Sequence, residues 1–155
     1  ELSPAKQSMT DEEFRHEMTS PGVMKYVVED ELGQVIALAC MTTDVTEVPW
    51  LSPKYYEKNF PEQFARQAVY FVGTILVHPE RRGGRHLMKL LDSMGGDMVA
   101  NQGVLAFDCC GYNSEQVHLP RIINKAASRL CEVEEVVLDQ QTYYAFAYKG
   151  PKQPD

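Results

Sequence analysis

The densest concentration of chemically useful residues in the chain is the run Val77-His78-Pro79-Glu80-Arg81-Arg82-Gly83-Gly84-Arg85-His86-Leu87. An apolar stretch leads into it and an amphipathic one leads out, so it reads as a basic, glycine-bearing turn between a strand and a helix. Such a turn can hold an anion. The first N–H groups of a helix lack intrahelical partners, the macrodipole is positive there, and glycine lets a backbone approach closely. Arg81, Arg82 and Arg85 add positive charge in a chain whose 15 Lys and Arg are outnumbered by 22 Asp and Glu. A solvated basic turn capping a helix is the plain alternative. Two common phosphate loops do not fit. No glycine-rich run ends in Gly-Lys-Ser or Gly-Lys-Thr, and no G-x-G-x-x-G is followed by an acidic residue about 20 positions on.

The elements that must position this turn follow from periodicity. Residues 68–77 are β-branched and aromatic, as a buried central strand is, with Gly73 a point for a bulge or a close approach. From residue 85 to 101, Leu87, Leu90, Leu91, Met94 and Met98 recur at helical spacing. A strand at 104–110, a loop of Gly111, Tyr112 and Asn113, and a helix opened by Pro120 come next, the helix with a core stripe of Ile122, Ile123, Ala126, Ala127 and Leu130. Upstream, Thr10 and Glu13 have capping-box spacing for a helix through Thr19, and 25–29 and 35–41 read as a hairpin with Gly33 in its turn. Downstream, 133–138 and 142–148 read as an antiparallel hairpin. Between residues 43 and 67 the periodicity is lost in an aromatic-rich insertion that is long for a mere connector.

Composition bounds the rest. A chain of 155 residues, 44% hydrophobic and 24% charged, is expected to form one domain over 1–155 with a real core. Its net charge of −7 argues against a nucleic-acid partner, and its longest apolar run is far short of the ~20 residues of a membrane-spanning helix. Cys40, Cys109, Cys110 and Cys131 lack C-x-x-C spacing, and three of them lie in apolar runs where a small buried thiol is usual. With no basic-then-apolar leader visible, this fits a cytoplasmic home. His16, His78, His86 and His118 lack zinc-site spacing, so no metal is expected.

The element order together with the basic turn resembles the GNAT superfamily of acyl-coenzyme A dependent N-acyltransferases. Its signature is a central strand, then Gln or Arg, two residues, Gly, one residue, Gly or Ala, and a helix. In one register Arg82 leads, placing Arg85 and Leu87 on the glycine and small-residue positions; one residue earlier Arg81 leads, with Gly84 and His86 there. The resemblance implies an α+β fold with a GNAT-like mixed, mostly antiparallel central sheet, its middle strands splayed and flanked by helices. It also implies that Arg82, Gly83, Gly84, Arg85, His86 and Leu87 bind the coenzyme pyrophosphate. The pantetheine arm would lie between the splayed strands, Leu76 or Val77 would supply a backbone oxyanion donor, and Asn113 would contact the coenzyme. The implied activity is acyl transfer from acetyl-CoA or another acyl-CoA to a primary amine of a small molecule or peptide, by direct attack in a ternary complex. The family's late-helix tyrosine, an acid for the leaving thiolate, has no counterpart between residues 126 and 131.

N-acyl transfer needs a neutral amine and a stabilised oxyanion. Candidate proton-transfer groups are His78 at the mouth of the splay, Tyr112 beyond the next strand, and Tyr143 on the last strand. Each is also an ordinary turn or strand residue. Asp108, in an apolar strand, is costly to bury and should be paired or face the site. Trp50, Tyr55 and Tyr56 would line or cover an acceptor pocket, or else form a satellite cluster under a long loop. The negative net charge favours cationic acceptors. Two other readings remain open: a coenzyme- or ligand-sensing module without turnover, and a transferase fed by an acidic acyl carrier protein that meets Arg81, Arg82 and Arg85. A homodimer would complete what a short N-terminal region leaves open.

Overall fold

A computed structural model of the chain describes residues 4, 8–82 and 85–147; Gly83, Gly84 and Tyr148 lie outside the described residues. Helix α1 (Asp11–Thr19) opens with the expected capping box: Glu13 N–H donates to Thr10 Oγ1 at 3.2 Å and Thr10 N–H donates to Glu13 Oε2 at 2.7 Å. Strands β1 (Val23–Glu29) and β2 (Val35–Thr42) form the expected hairpin. Its turn is held by Asp30 Oδ1, which accepts from the N–H groups of Leu32 and Gln34 at 2.9 and 3.0 Å, while Gly33 takes a φ of 75° that favours glycine.

The insertion contains structure that periodicity did not show. A 3₁₀ turn (Val45–Glu47) is followed by helices α2 (Pro53–Asn59) and α3 (Pro61–Ala65), each opened by a proline at its first turn. Helices this short give no hydrophobic repeat to read. Strand β3 (Val69–Val77) then leads through a 3₁₀ turn (Pro79–Arg81) into α4 (His86–Ala100) and β4 (Val104–Phe107). A π-helical turn (Tyr112–Gln116) occupies the expected loop, and α5 (Leu119–Ala127) follows.

The sheet order is β1-β2-β3-β4, with the first two pairings antiparallel and β3–β4 parallel. On one face Ala37, Ala39, Met41, Tyr70 and Val72 pack against Leu90, Leu91 and Met94 of α4 and Ile123 and Ala126 of α5. Complete burial of a side chain such as Leu90 contributes about 1.5–3 kcal/mol. On the other face Val69 and Phe71 pack against Val45 and Tyr56 from the insertion. Glycine is required where β4 begins: a Cβ at Gly103 would lie 2.8 Å from the Tyr70 ring and 3.0 Å from Ala68 O.

Three expectations are corrected. Strand β4 is four residues long, not seven, because its partner strand diverges beyond Val72; Asp108 is therefore exposed and Cys109 and Cys110 are half-buried. Helix α5 ends at Ala127, which leaves Leu130 beyond it and partly exposed. The final hairpin does not form among the described residues: 133–138 and 142–147 pair with no strand. Alternating β-formers give propensity, but a ladder also needs an edge within reach. Leu138 is the half-buried anchor of this segment and accepts from Tyr55 Oη at 3.4 Å, whereas Val137, Tyr144 and Phe146 are 81%, 81% and 82% exposed.

Candidate active site

The site is built on an irregularity in β3. In the β2–β3 ladder Cys40 faces Thr74 and Met41 faces Val72, so Gly73 is an extra residue, a β-bulge. The core confirms the step: Tyr70 and Val72 face α4 before it, and Ile75 and Val77 face α4 after it. On the other side β3 pairs with β4 through residues 69–72 only. From Gly73 to Val77, the β3 edge toward β4 has no strand partner among the described residues. The sheet therefore opens in a V between β3 and β4, the last strand among the described residues, and alternate backbone N–H and C=O groups of that β3 edge are available to an extended ligand.

The open edge leads to the start of α4. Arg85 occupies the N-cap position without a side-chain cap, and His86 is the first helical residue. Arg85, His86, Met88 and Lys89 line a cleft of about 740 Å³ with Asp92 and Arg129, which form an ion pair at 3.2 Å. His86 Nδ1 is buried without a hydrogen-bond partner among the described residues, which normally costs about 1–3 kcal/mol. Arg85, Lys89 and Arg129 make the cleft cationic, so it suits an anionic group.

On the face opposite α4, helix α1 lays a carboxylate over the bulge. Thr74 Oγ1 lies 2.9 and 3.2 Å from the two carboxylate oxygens of Glu17 and donates to them, and Thr74 is buried. A Cβ at Gly73 would lie 3.2 Å from Glu17 Oε1. Beside them, burial together with the Glu17 charge pushes the Cys40 thiol up to about 11, partly opposed by Lys25. No motif marks Glu17; only helix periodicity combined with the bulge position would have suggested it.

The residues singled out by sequence are distributed around this V. His78 is exposed, caps the 3₁₀ turn and accepts from Glu80 N–H through Nδ1 at 3.3 Å. Leu76 is 50% exposed, Val77 packs toward α4, and Arg82 is exposed at the end of the turn. Leu87 packs into the core. Tyr112 is exposed and Asn113 half-buried in the turn beyond β4. Tyr143 lies in the unpaired C-terminal segment instead of on a strand. Tyr56 is core, its phenol raised by burial, then by Tyr55 and Asp108, and it stacks on Phe60. Tyr55 is partly exposed against it, edge to face at 5.7 Å. Trp50 is 66% exposed and sets its ring edge to face on Phe71 at 6.4 Å, two residues before the bulge.

A mixed sheet with an antiparallel hairpin, a bulged central strand, a helical crossover and a parallel strand splayed from it is the architecture implied by the resemblance. The fold is GNAT-like. No family model matches the chain, and no curated protein matches it. Among solved structures, one mutant of the BH1408 protein from Bacillus halodurans is similar at 12% identity and a TM-score of 0.52, over 92% of this chain and 80% of that one. A tetramutant of the same protein is similar at 13% identity and a TM-score of 0.51, over 87% and 76%. Glucosamine-6-phosphate N-acetyltransferase from Arabidopsis thaliana is similar at 15% identity and a TM-score of 0.49, over 91% and 83%. At these identities the likeness is one of fold. Among the described residues of this GNAT-like chain, no helix is long and apolar enough to cross a membrane, and no group of three or more His, Cys, Asp or Glu is gathered as a metal site.

Proposed function

We propose that the chain is an N-acyltransferase that takes an acyl group, most simply acetyl, from an acyl-coenzyme A and passes it to a primary amine. The observation that carries this reading is the unpaired edge of β3 from Gly73 to Val77, opening beside the bulge and running into the start of α4. An extended pantetheine arm carries amides and can pair with such an edge as a strand would. Arg82, Arg85 and His86, with Lys89 beside them, would meet the pyrophosphate; Asn113 and Tyr112, in the turn beyond β4, would line the far wall of the V. A backbone N–H of that open edge would stabilise the oxyanion of the tetrahedral intermediate. Little side-chain chemistry is then required beyond removal of the ammonium proton.

Isothermal titration with acetyl-CoA, and with acetyl-pantetheine lacking the nucleotide, tests the reading on the parent and on an Arg82→Ala, Arg85→Ala double variant. The expected result is binding by the parent that weakens about tenfold or more both in the variant and without the nucleotide, since each lost phosphate contact is worth on the order of 1.4 kcal/mol or more. No heat with millimolar acetyl-CoA would contradict it.

A further inference from the structure

We infer that Glu17 binds the acceptor as an ammonium ion and takes its proton, so that the acceptor is a cationic amine approaching from the α1 face of the sheet. This rests on the N-acyltransferase reading and adds a residue and a substrate class to it.

Three observations carry the inference. First, Glu17 is half-buried, and among the described residues its side chain has one hydrogen-bond partner, the neutral Thr74 hydroxyl, and no cation paired with it. A carboxylate partly withdrawn from water is stabilised by a cation. Second, this carboxylate lies over Gly73, at the residue where β3 loses β4. A thioester held along the open edge would therefore present its carbonyl next to Glu17. Third, Gly73 leaves the carboxylate undisturbed, since a Cβ there would press on Glu17 Oε1 at 3.2 Å. Trp50, exposed against Phe71 on the same face, offers a ring to the rest of the acceptor.

Glu17 takes one proton from the ammonium and releases it to water. The freed lone pair attacks the thioester carbon, the C–N bond forms and the C–S bond breaks, and the second amine proton leaves with the thiolate as the thiol. The Cys40 thiol on β2 feels both the Glu17 charge and that of Lys25 on β1, whose Nζ donates to Ser20 O.

The test uses the full chain, isotopically labelled and first saturated with acetyl-CoA, then titrated with 1,4-diaminobutane as an ammonium probe. The Thr74 amide resonance should shift saturably. With Glu17→Gln the shift should be lost while acetyl-CoA affinity and the thermal midpoint hold. Thiol release should fall about 100-fold or more, and Glu17→Asp should restore part of both the release and the Thr74 shift. If acetyl-CoA does not bind, the transferase reading falls and this assignment falls with it. If acetyl-CoA binds but the diamine leaves Thr74 unmoved, or if Glu17→Gln retains both the response and the rate of thiol release, the assignment to Glu17 alone is overturned.

Discussion

A side chain at Gly73 would come within 3.2 Å of Glu17 Oε1, so the bulge in β3 and the carboxylate on α1 share one small space. Gly73→Ala should therefore displace the carboxylate by a few tenths of an ångström while leaving the core on the α4 face untouched. The expected outcome is a several-fold drop in acetyl transfer with a stability change under about 1 kcal/mol. Paired rate and thermal-melt measurements check it; a large loss of stability with unchanged specific activity would mean that the glycine serves folding alone.

Gly103 makes the opposite case. A Cβ there would meet the Tyr70 ring at 2.8 Å and the Ala68 carbonyl at 3.0 Å, and backbone cannot give way as a flexible side chain can. Tyr70 Oη is further fixed by the Asn101 Nδ2 donor at 2.9 Å. Gly103→Ala should cost about 1–3 kcal/mol by overpacking, read as a lower denaturation midpoint. Coenzyme affinity per folded molecule should be unchanged.

Cys40 sets an alkaline limit. Its thiol is fully buried, and burial lifts it from its ordinary value of 9.0 to about 11, so the folded protein holds that proton more tightly than the unfolded chain does. The sign follows by linkage: the contribution is complete below about pH 9 and is lost as pH rises from there toward 11. Tyr26, raised by burial and by its hydrogen bond to Asp97, adds in the same direction at higher pH. Denaturant titrations at pH 8 and 10.5 should show falling stability, and Cys40→Ala should flatten that slope. In the native state Cys131, which is exposed, should react with a thiol reagent well before Cys40.

The final segment gives a separate test. Among the described residues, 133–147 contribute no strand pairing, and the Gln140 N–H donates only locally, to Asp139 Oδ1 at 2.7 Å. Their amides should exchange with solvent within seconds, whereas those of Ala39 and Cys40 should exchange slowest. Slow exchange across 142–147 would show that the segment pairs after all, with its own sheet or with a second copy of the chain.

How much of this was legible in the sequence depends on what kind of information each feature carries. The capping box at Thr10, the turn at Gly33 and the long stripe from Leu87 to Met98 are local patterns, and all three appear where their spacing puts them. The bulge at Gly73 was foreseeable because an isolated glycine in a strand has few other uses. The strand ends were not: 104–110 reads as seven buried residues, but its length is decided by how far β3 stays beside it. The same holds for 133–138 and 142–148, whose alternation promises a hairpin that pairing does not supply. Glu17 was invisible for a related reason. Its position over Thr74 is a contact across 57 residues, and nothing in DEEFRHEMT sets one acid apart from another.

The central claim is that an acyl-coenzyme A lies in the V between β3 and β4. Titrating acetyl-CoA into isotopically labelled protein and following backbone amide resonances tests it most directly. The account predicts saturable shifts concentrated on residues 73–77 of β3, on the first turn of α4 and on the turn around Asn113, with β1 little changed. Shifts confined to the insertion or the C-terminal segment, or none at millimolar coenzyme, would contradict it.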